Sequence, residues 1–577
     1  MNNTDYQEYF KRRMVELMNR YTLDSYRVRT NNTMSILSEL INVLSAWIKG
    51  DVKRFETVAY CIEECQNLIN DDVVIRYHYV SKKLFLDVLS SYLDTCKNKD
   101  IPNVQETQKL IYWVEDLYDN NKDEYLSGLL NAIKKKVTTE EEDEGEMIPN
   151  IDSFDSLLRS YAVELLRYGY SKGYLYKFFS TMKKNAMQIS FEDAFNSMYT
   201  RFCSRSHRLY TVVMKLNFSK RNMAEAASGQ IEQIVDRLPD GIAKTENLSK
   251  SFSSPNDNVR FFTIDVEAFD SHGAAIKADE ELQMLLDTQQ ELVKGATPYS
   301  YALVFIDDNG TYKMTREKLF VLDSGGDFMR RQAGLLHEMV DTIYKSTTIE
   351  ADVKDRLSSA LRHLRLGDSQ MNVEQQFINY WIGLEFIFSS SSRDENTYQR
   401  IKSNLVNILT TCYVKRNMLQ LKYWIVKKHA MRENDNIFEK IDDPAFCNSL
   451  PNILMRYRAS KMKSHLRQRE SIRNYMKQHE SNLRQHLSRI YRLRNELVHE
   501  AAIKQDIVNV TSNLRFYLMF VINQMIGYFS DNDGKHKTMM RFFWQYEKNL
   551  YMIHQANDRA SMINSLQAVK MYDCLLW

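Results

Sequence analysis

Apolar residues recur along most of the chain at every third and fourth position, the spacing that places one face of an α-helix against a core. Ile36, Leu37, Leu40, Ile41, Val43, Leu44, Trp47 and Ile48 form one such stripe, and Gly50 follows as a helix stop. Comparable runs at 58–69, 84–93 and 110–117 predict an N-terminal helical domain over residues 1–140. The acidic run 138–146 has no apolar anchor and is closed by Pro149. It predicts a solvated linker. A second helical segment, 141–220, follows. There Phe154, Leu157, Leu158, Tyr161, Leu165 and Leu166 share a face that ends at Gly169.

The period changes near Val259. Phe261, Phe262, Ile264 and Val266 alternate imperfectly, and 301–306 and 318–322 are further β-rich runs. Asp308-Asn309-Gly310 carries the positive-φ residues of a hairpin turn. Residues 255–330 thus predict a small α/β module, with Asp270 or Ser271 capping its helix. Helical spacing resumes over 333–368. Val373, Phe377, Trp381, Leu384 and Phe388 then mark the buried stripe of another helix. A strongly apolar helix over 514–529 precedes an aromatic-rich tail, 531–577, that packs back on the fold. The fold class is mainly α: a multidomain helical protein with a small α/β module and a C-terminal helical bundle over 345–530.

Composition sharpens this. Only 7 Pro and 17 Gly in 577 residues leave long helices uninterrupted, and the chain is too long for one core. Lys and Arg number 77 against 75 Asp and Glu, so net charge names no partner. Charge is nonetheless segregated. From Arg456 to Arg494 twelve cationic residues are opposed by Glu470 and Glu480 alone. This predicts a mainly solvated basic helix or pair of helices, either phosphate-binding or simply hydrated. Arg201, Arg205, His207 and Arg208 form a smaller cluster of the same kind.

Seven scattered cysteines fit reduced thiols in a cytoplasmic protein. Cys61 and Cys65 are four apart, but no second ligand pair accompanies them, so neither a metal nor another cofactor is expected. The carboxylates Asp265, Glu267 and Asp270 lie close together, yet strand alternation and capping account for them. No signal-peptide core opens the chain, and no window approaches the roughly 18–20 apolar residues of a membrane span. The expectation is a cytoplasmic protein with no membrane partner.

Two stretches carry candidate chemistry. Glu385 lies one turn after Trp381 and one turn before Phe388, on the apolar side of its helix. A carboxylate there must be paired, hydrogen-bonded or protonated. The second stretch is Arg494-Asn495-Glu496-Leu497-Val498-His499. Cutting RNA without a metal requires a base for the 2′-hydroxyl, an acid for the leaving 5′-oxygen and a fixed cation for the phosphorane charge. Histidine titrates near neutrality, arginine presents a permanent fork, and an amide can orient the scissile group. On a regular helix Arg494 and His499 point about 140° apart. They converge only if the helix loosens between them or a second chain completes the site, and the polar break from Glu500 to Asp506 favours loosening.

The Arg494–His499 stretch resembles the Arg-x(4–6)-His motif of the HEPN superfamily, including the Asn after the Arg. The segment 377–388, with its Trp and Leu-Glu pair, is similar to the first long helix of that domain. The resemblance covers about 350–530. It departs from the family pattern in a basic insertion at about 440–480. It implies a bundle of about four helices that dimerises into a composite cleft, and a metal-independent endoribonuclease of antiphage, abortive-infection or toxin type. Carried over by position, Arg494 and His499 would be the catalytic pair, Asn495 a positioning residue and Glu385 a supporting polar residue. RNA would be the substrate, a second copy the partner, and a phage-derived trigger or regulator a further one. Two other readings fit the same residues. One is a non-catalytic module binding RNA, nucleotide or protein. The other is a structural scaffold with Arg494 paired to Glu385.

Overall fold

The computed structural model describes residues 3–19, 31–78, 81–96, 101–138, 147–184, 189–204, 206–238, 257–306, 311–315, 330–370, 372–389, 396–500, 507–531 and 534–572. Most of these residues are helical, and the fold is mainly α with one small sheet. The chain divides into two compact units. One joins Met1–Glu164 to Leu322–Trp577; the other is Leu165–Val321.

The smaller unit is built on a five-stranded antiparallel sheet. Its strands are β1 (Arg208–Asn217), β2 (Ile234–Val235), β3 (Val259–Ala268), β4 (Thr297–Ile306) and β5 (Thr311–Thr315), in the order β2-β3-β1-β4-β5. Tyr210, Val212, Met214 and Leu216 on one face of β1 share a core with Ala274, Ala275, Ala278 and Leu282 of the Ser271–Thr288 helix. This corrects the expectation that 141–220 is helical throughout. Residues 208–217 are the central strand, and the α/β module begins there. The strand signal was present and was missed: Tyr210, Val212, Met214 and Leu216 alternate with Thr211, Lys215 and Asn217, and Val213 alone interrupts them.

Asp270 is the predicted cap. Its carboxylate accepts the amides of His272 and Gly273 at one helix start. It also accepts the amide and hydroxyl of Ser171 at the start of Lys172–Lys184. Asp265 accepts the Thr211 hydroxyl at 2.6 Å, so it too is engaged in holding strands together. Asp279 differs. It is 1% exposed, and among the described residues neither carboxylate oxygen has a hydrogen-bond partner. Burial pushes its carboxyl up to about 6; Gln283, one turn on, lowers it only in part. The predicted turn at 308–310 and strand at 318–322 lie outside the described residues.

In the larger unit, seven helices from Asn3–Leu17 to Met147–Arg167 form the N-terminal layer among the described residues. Residues 139–146 of the acidic run are outside the described residues, and Pro149 lies in the first turn of Met147–Arg167. Cys61 and Cys65 are buried in the Phe55–Asp71 helix, where burial pushes both thiols up.

Four C-terminal helices pack together: the Trp381 helix (Val373–Phe388), Thr397–Lys427, the motif helix (Arg469–Glu500) and the apolar helix (Ile507–Ser530). The predicted stripe of Val373, Phe377, Trp381, Leu384 and Phe388 is buried. Gly383 sits inside that helix because a Cβ there would lie 2.8 Å from Leu518 of the apolar helix; its absence lets the two rods approach. The apolar helix is buried on almost every face, as a central rod must be. Phe542, Phe543 and Tyr546 of the tail fold back onto this core, where Thr411 donates to the Tyr546 carbonyl. No helix among the described residues is long and apolar enough to cross a membrane.

Candidate active site at the end of the motif helix

The two stretches singled out in the sequence meet in space. The Trp381 helix and the motif helix pack side by side, with the Trp381 and Tyr491 rings 5.9 Å apart. Tyr398 stacks on Tyr491 at 3.9 Å. One turn beyond this aromatic contact, Arg494 Nη2 lies 3.6 Å from Glu385 Oε1. That same oxygen accepts the Trp381 indole N–H at 2.6 Å. The carboxylate is thus oriented by tryptophan and only neighboured by arginine, since 3.6 Å is too long for a hydrogen bond. Glu385 was expected within the apolar side. It sits instead at its edge, 33% exposed, where solvent and the indole relieve the desolvation cost.

Arg494 is 28% exposed. Its Nη1 donates to Asn495 Oδ1 at 3.3 Å, and its buried Nε has no hydrogen-bond partner among the described residues. Asn495 therefore stands beside the guanidinium, as the sequence placed it. Val498 is 51% exposed and Phe386, next to Glu385, is 43% exposed, so the surroundings are open rather than walled off. His499 is the last residue but one of the motif helix; its side chain and the break at 501–506 lie outside the described residues. The backbone is helical without interruption from Arg469 to Glu500. The expected loosening between Arg494 and His499 is therefore corrected: a continuous hydrogen-bonded helix spans both positions and leaves them about 140° apart.

The basic stretch before the motif also differs from expectation. It forms two helices, Ile453–His465 and Arg469–Glu500, but much of it is buried and paired rather than solvated. Arg489 Nε donates to both oxygens of Glu39 at 2.9 Å, and its Nη2 donates to Glu64 at 2.6 Å. Arg492 also binds Glu39. Arg458 reaches Glu16 at 2.6 Å and Lys461 pairs with Asp152. Burial alone would raise the Glu39 carboxyl, but the Arg489 and Arg492 guanidiniums outweigh it and hold it at about 2. These cations neutralise acidic residues of the N-terminal layer, which removes them from any phosphate-binding surface.

Two buried histidines of the motif helix, His479 and His486, are held neutral for a related reason. Burial, reinforced by Arg489, pushes His486 down to about 3, and its Nε2 lies 3.0 Å from Asn513 Nδ2. Burial, reinforced by Arg416, pushes His479 well below its ordinary value, with the ring stacked 3.5 Å from Tyr413.

Glu39, Glu64, Arg489 and Arg492 were missed as a group. A signal did exist. Glu39 falls between Ile36 and Val43 on the apolar stripe of its helix, and Arg489 adjoins Ile490 and follows Leu483 and Leu487. Compared with protein-family models, curated proteins and solved structures, the chain matches none.

Proposed function

We propose that the C-terminal helices form a metal-independent endoribonuclease of the HEPN kind, acting in the cytoplasm as an antiphage or toxin-like effector. The observation that carries this reading is the meeting of Arg494 with the Trp381–Glu385 pair. Two short motifs, selected separately in the sequence, converge at a partly exposed helix end. In this reading Arg494 holds the non-bridging oxygens of the scissile phosphate. A phosphate entering the site competes for the guanidinium with the Asn495 amide oxygen at 3.3 Å and with a carboxylate at 3.6 Å that is already engaged by Trp381. His499 transfers the proton of the 2′-hydroxyl or of the leaving 5′-oxygen. Asn495 orients the phosphate, and Glu385 sets the position of Arg494. The unbroken helix favours a site completed by a second copy, because one chain directs positions 494 and 499 to different sides.

The Arg494–Glu385 ion pair also favours a second reading, a scaffold in which both residues only hold helices together. Induced expression of wild type and His499→Ala, with sequencing of total RNA ends, separates the two. The nuclease reading predicts new 2′,3′-cyclic phosphate ends and toxicity for wild type alone. Identical RNA ends from both proteins would reject it.

A further inference from the structure

The motif helix is tied to two N-terminal helices by buried charge. Glu39, on Thr33–Lys49, receives Arg489 Nε on both oxygens at 2.9 Å and also binds Arg492. Glu64, on Phe55–Asp71, receives Arg489 Nη2 at 2.6 Å. None of the four side chains is more than 15% exposed. Arg492 then lies 3.8 Å from Glu496, inside the motif itself.

Adhesion does not require this arrangement. Apolar side chains of similar size would join the same layers without desolvating four charges, and commonly join them as firmly. Paired charges add direction. Arg489 and Arg492 are one turn apart on the same helix face, and both must address the single carboxylate of Glu39. That requirement fixes the rotation of the motif helix about its axis, whereas an apolar contact tolerates slippage. Arg492 precedes Arg494 by two residues. A small rotation at Arg492 therefore carries Arg494 toward or away from Glu385.

We infer that Glu39 and Glu64 are positioning residues for the Arg494 site, so that the N-terminal helices set the orientation of the motif turn and are a working part of the C-terminal module. The activity arm of its test rests on the nuclease reading; the structural arm does not.

The test uses the full chain in three forms: wild type, Glu39→Gln, and a variant in which all four residues are apolar (Glu39→Leu, Glu64→Leu, Arg489→Met, Arg492→Leu). Hydrogen exchange is followed at residues 493–500 and in the Trp381 and apolar helices. Both variants are expected to exchange about tenfold faster at 493–500 while the other two helices keep wild-type protection. Cleavage is expected to lose about a hundredfold in kcat with KM nearly unchanged, the signature of misplacement rather than lost binding. Unchanged exchange at 493–500 would overturn the inference, as would equal acceleration in all three helices. Should Glu39→Gln not fold, the apolar variant carries the test; failure of both to fold would show that the charges hold the fold and do not position the site. Should exchange respond while wild type itself cuts no RNA, the nuclease reading fails and the positioning role stands.

Discussion

Two stretches of one helix use arginine in opposite ways. In the middle of the motif helix, Arg489 is one-tenth exposed and meets two carboxylates at 2.6–2.9 Å. Near its end, Arg494 is 28% exposed and has one carboxylate at 3.6 Å, beyond hydrogen-bond reach. The residues are chemically identical and about one and a half helical turns apart, yet one is committed to buried ion pairs and the other keeps part of its guanidinium in solvent. Positive charge in a sequence therefore says little about a phosphate-binding surface until the intramolecular partners of each cation are known.

The contrast can be broken by mutation. Arg489→Ala takes this guanidinium from buried Glu64 and leaves Glu39 with Arg492 and the Asn31 amide. It should destabilise the larger unit by about 3–5 kcal/mol in denaturant titrations. A cost near zero would place Arg489 in the same class as Arg494.

It can be sharpened by pH. Burial keeps His479 and His486 neutral in the folded protein, while the unfolded chain takes up protons below its ordinary histidine value of 6.5. Their contribution is therefore complete above pH 6.5 and is lost as pH falls toward the depressed folded values. The expected slope is roughly 1.4 kcal/mol per pH unit for each imidazole. Glu39 acts in a different window. Its carboxyl is lowered from 4.5 to about 2, so its contribution persists above pH 4.5 and is lost only below that. Stability curves from pH 8 to 5 should thus bend for His486 and not for Glu39, and His486→Gln should remove its share of the bend. A flat profile in wild type would contradict the assignment. The smallest effect is expected at the motif itself. Arg494→Ala should cost about 1 kcal/mol or less, because its ion pair is loose and partly solvated. A loss as large as that of Arg489→Ala would make Arg494 a structural residue.

Much of the helical framework was legible because burial on one face leaves a 3.6-residue period. The stripe from Val373 to Phe388, the cap at Asp270 and the returning aromatic tail all follow from spacing or from a residue's local chemistry. The central strand was legible and was missed: Tyr210, Val212, Met214 and Leu216 alternate with Thr211, Lys215 and Asn217, interrupted by Val213 alone. The ion network was hidden. Glu39 and Arg489 are 450 residues apart, and nothing local in either stretch names the other. At the candidate site, the sequence identified Glu385 and Arg494, which the fold brings together, but it misjudged the helix between Arg494 and His499 as loosened. The polar residues that suggested a break begin at Glu500, and the helix runs unbroken up to that residue.

The nuclease reading stands or falls on purified protein of the full chain given a synthetic RNA and excess EDTA, wild type beside His499→Ala. The account predicts that wild type cuts the RNA in the presence of chelator, leaving 2′,3′-cyclic phosphate and 5′-hydroxyl termini, while the folded variant cuts nothing. Equal cleavage by both proteins, or cleavage that requires added divalent metal, would contradict it.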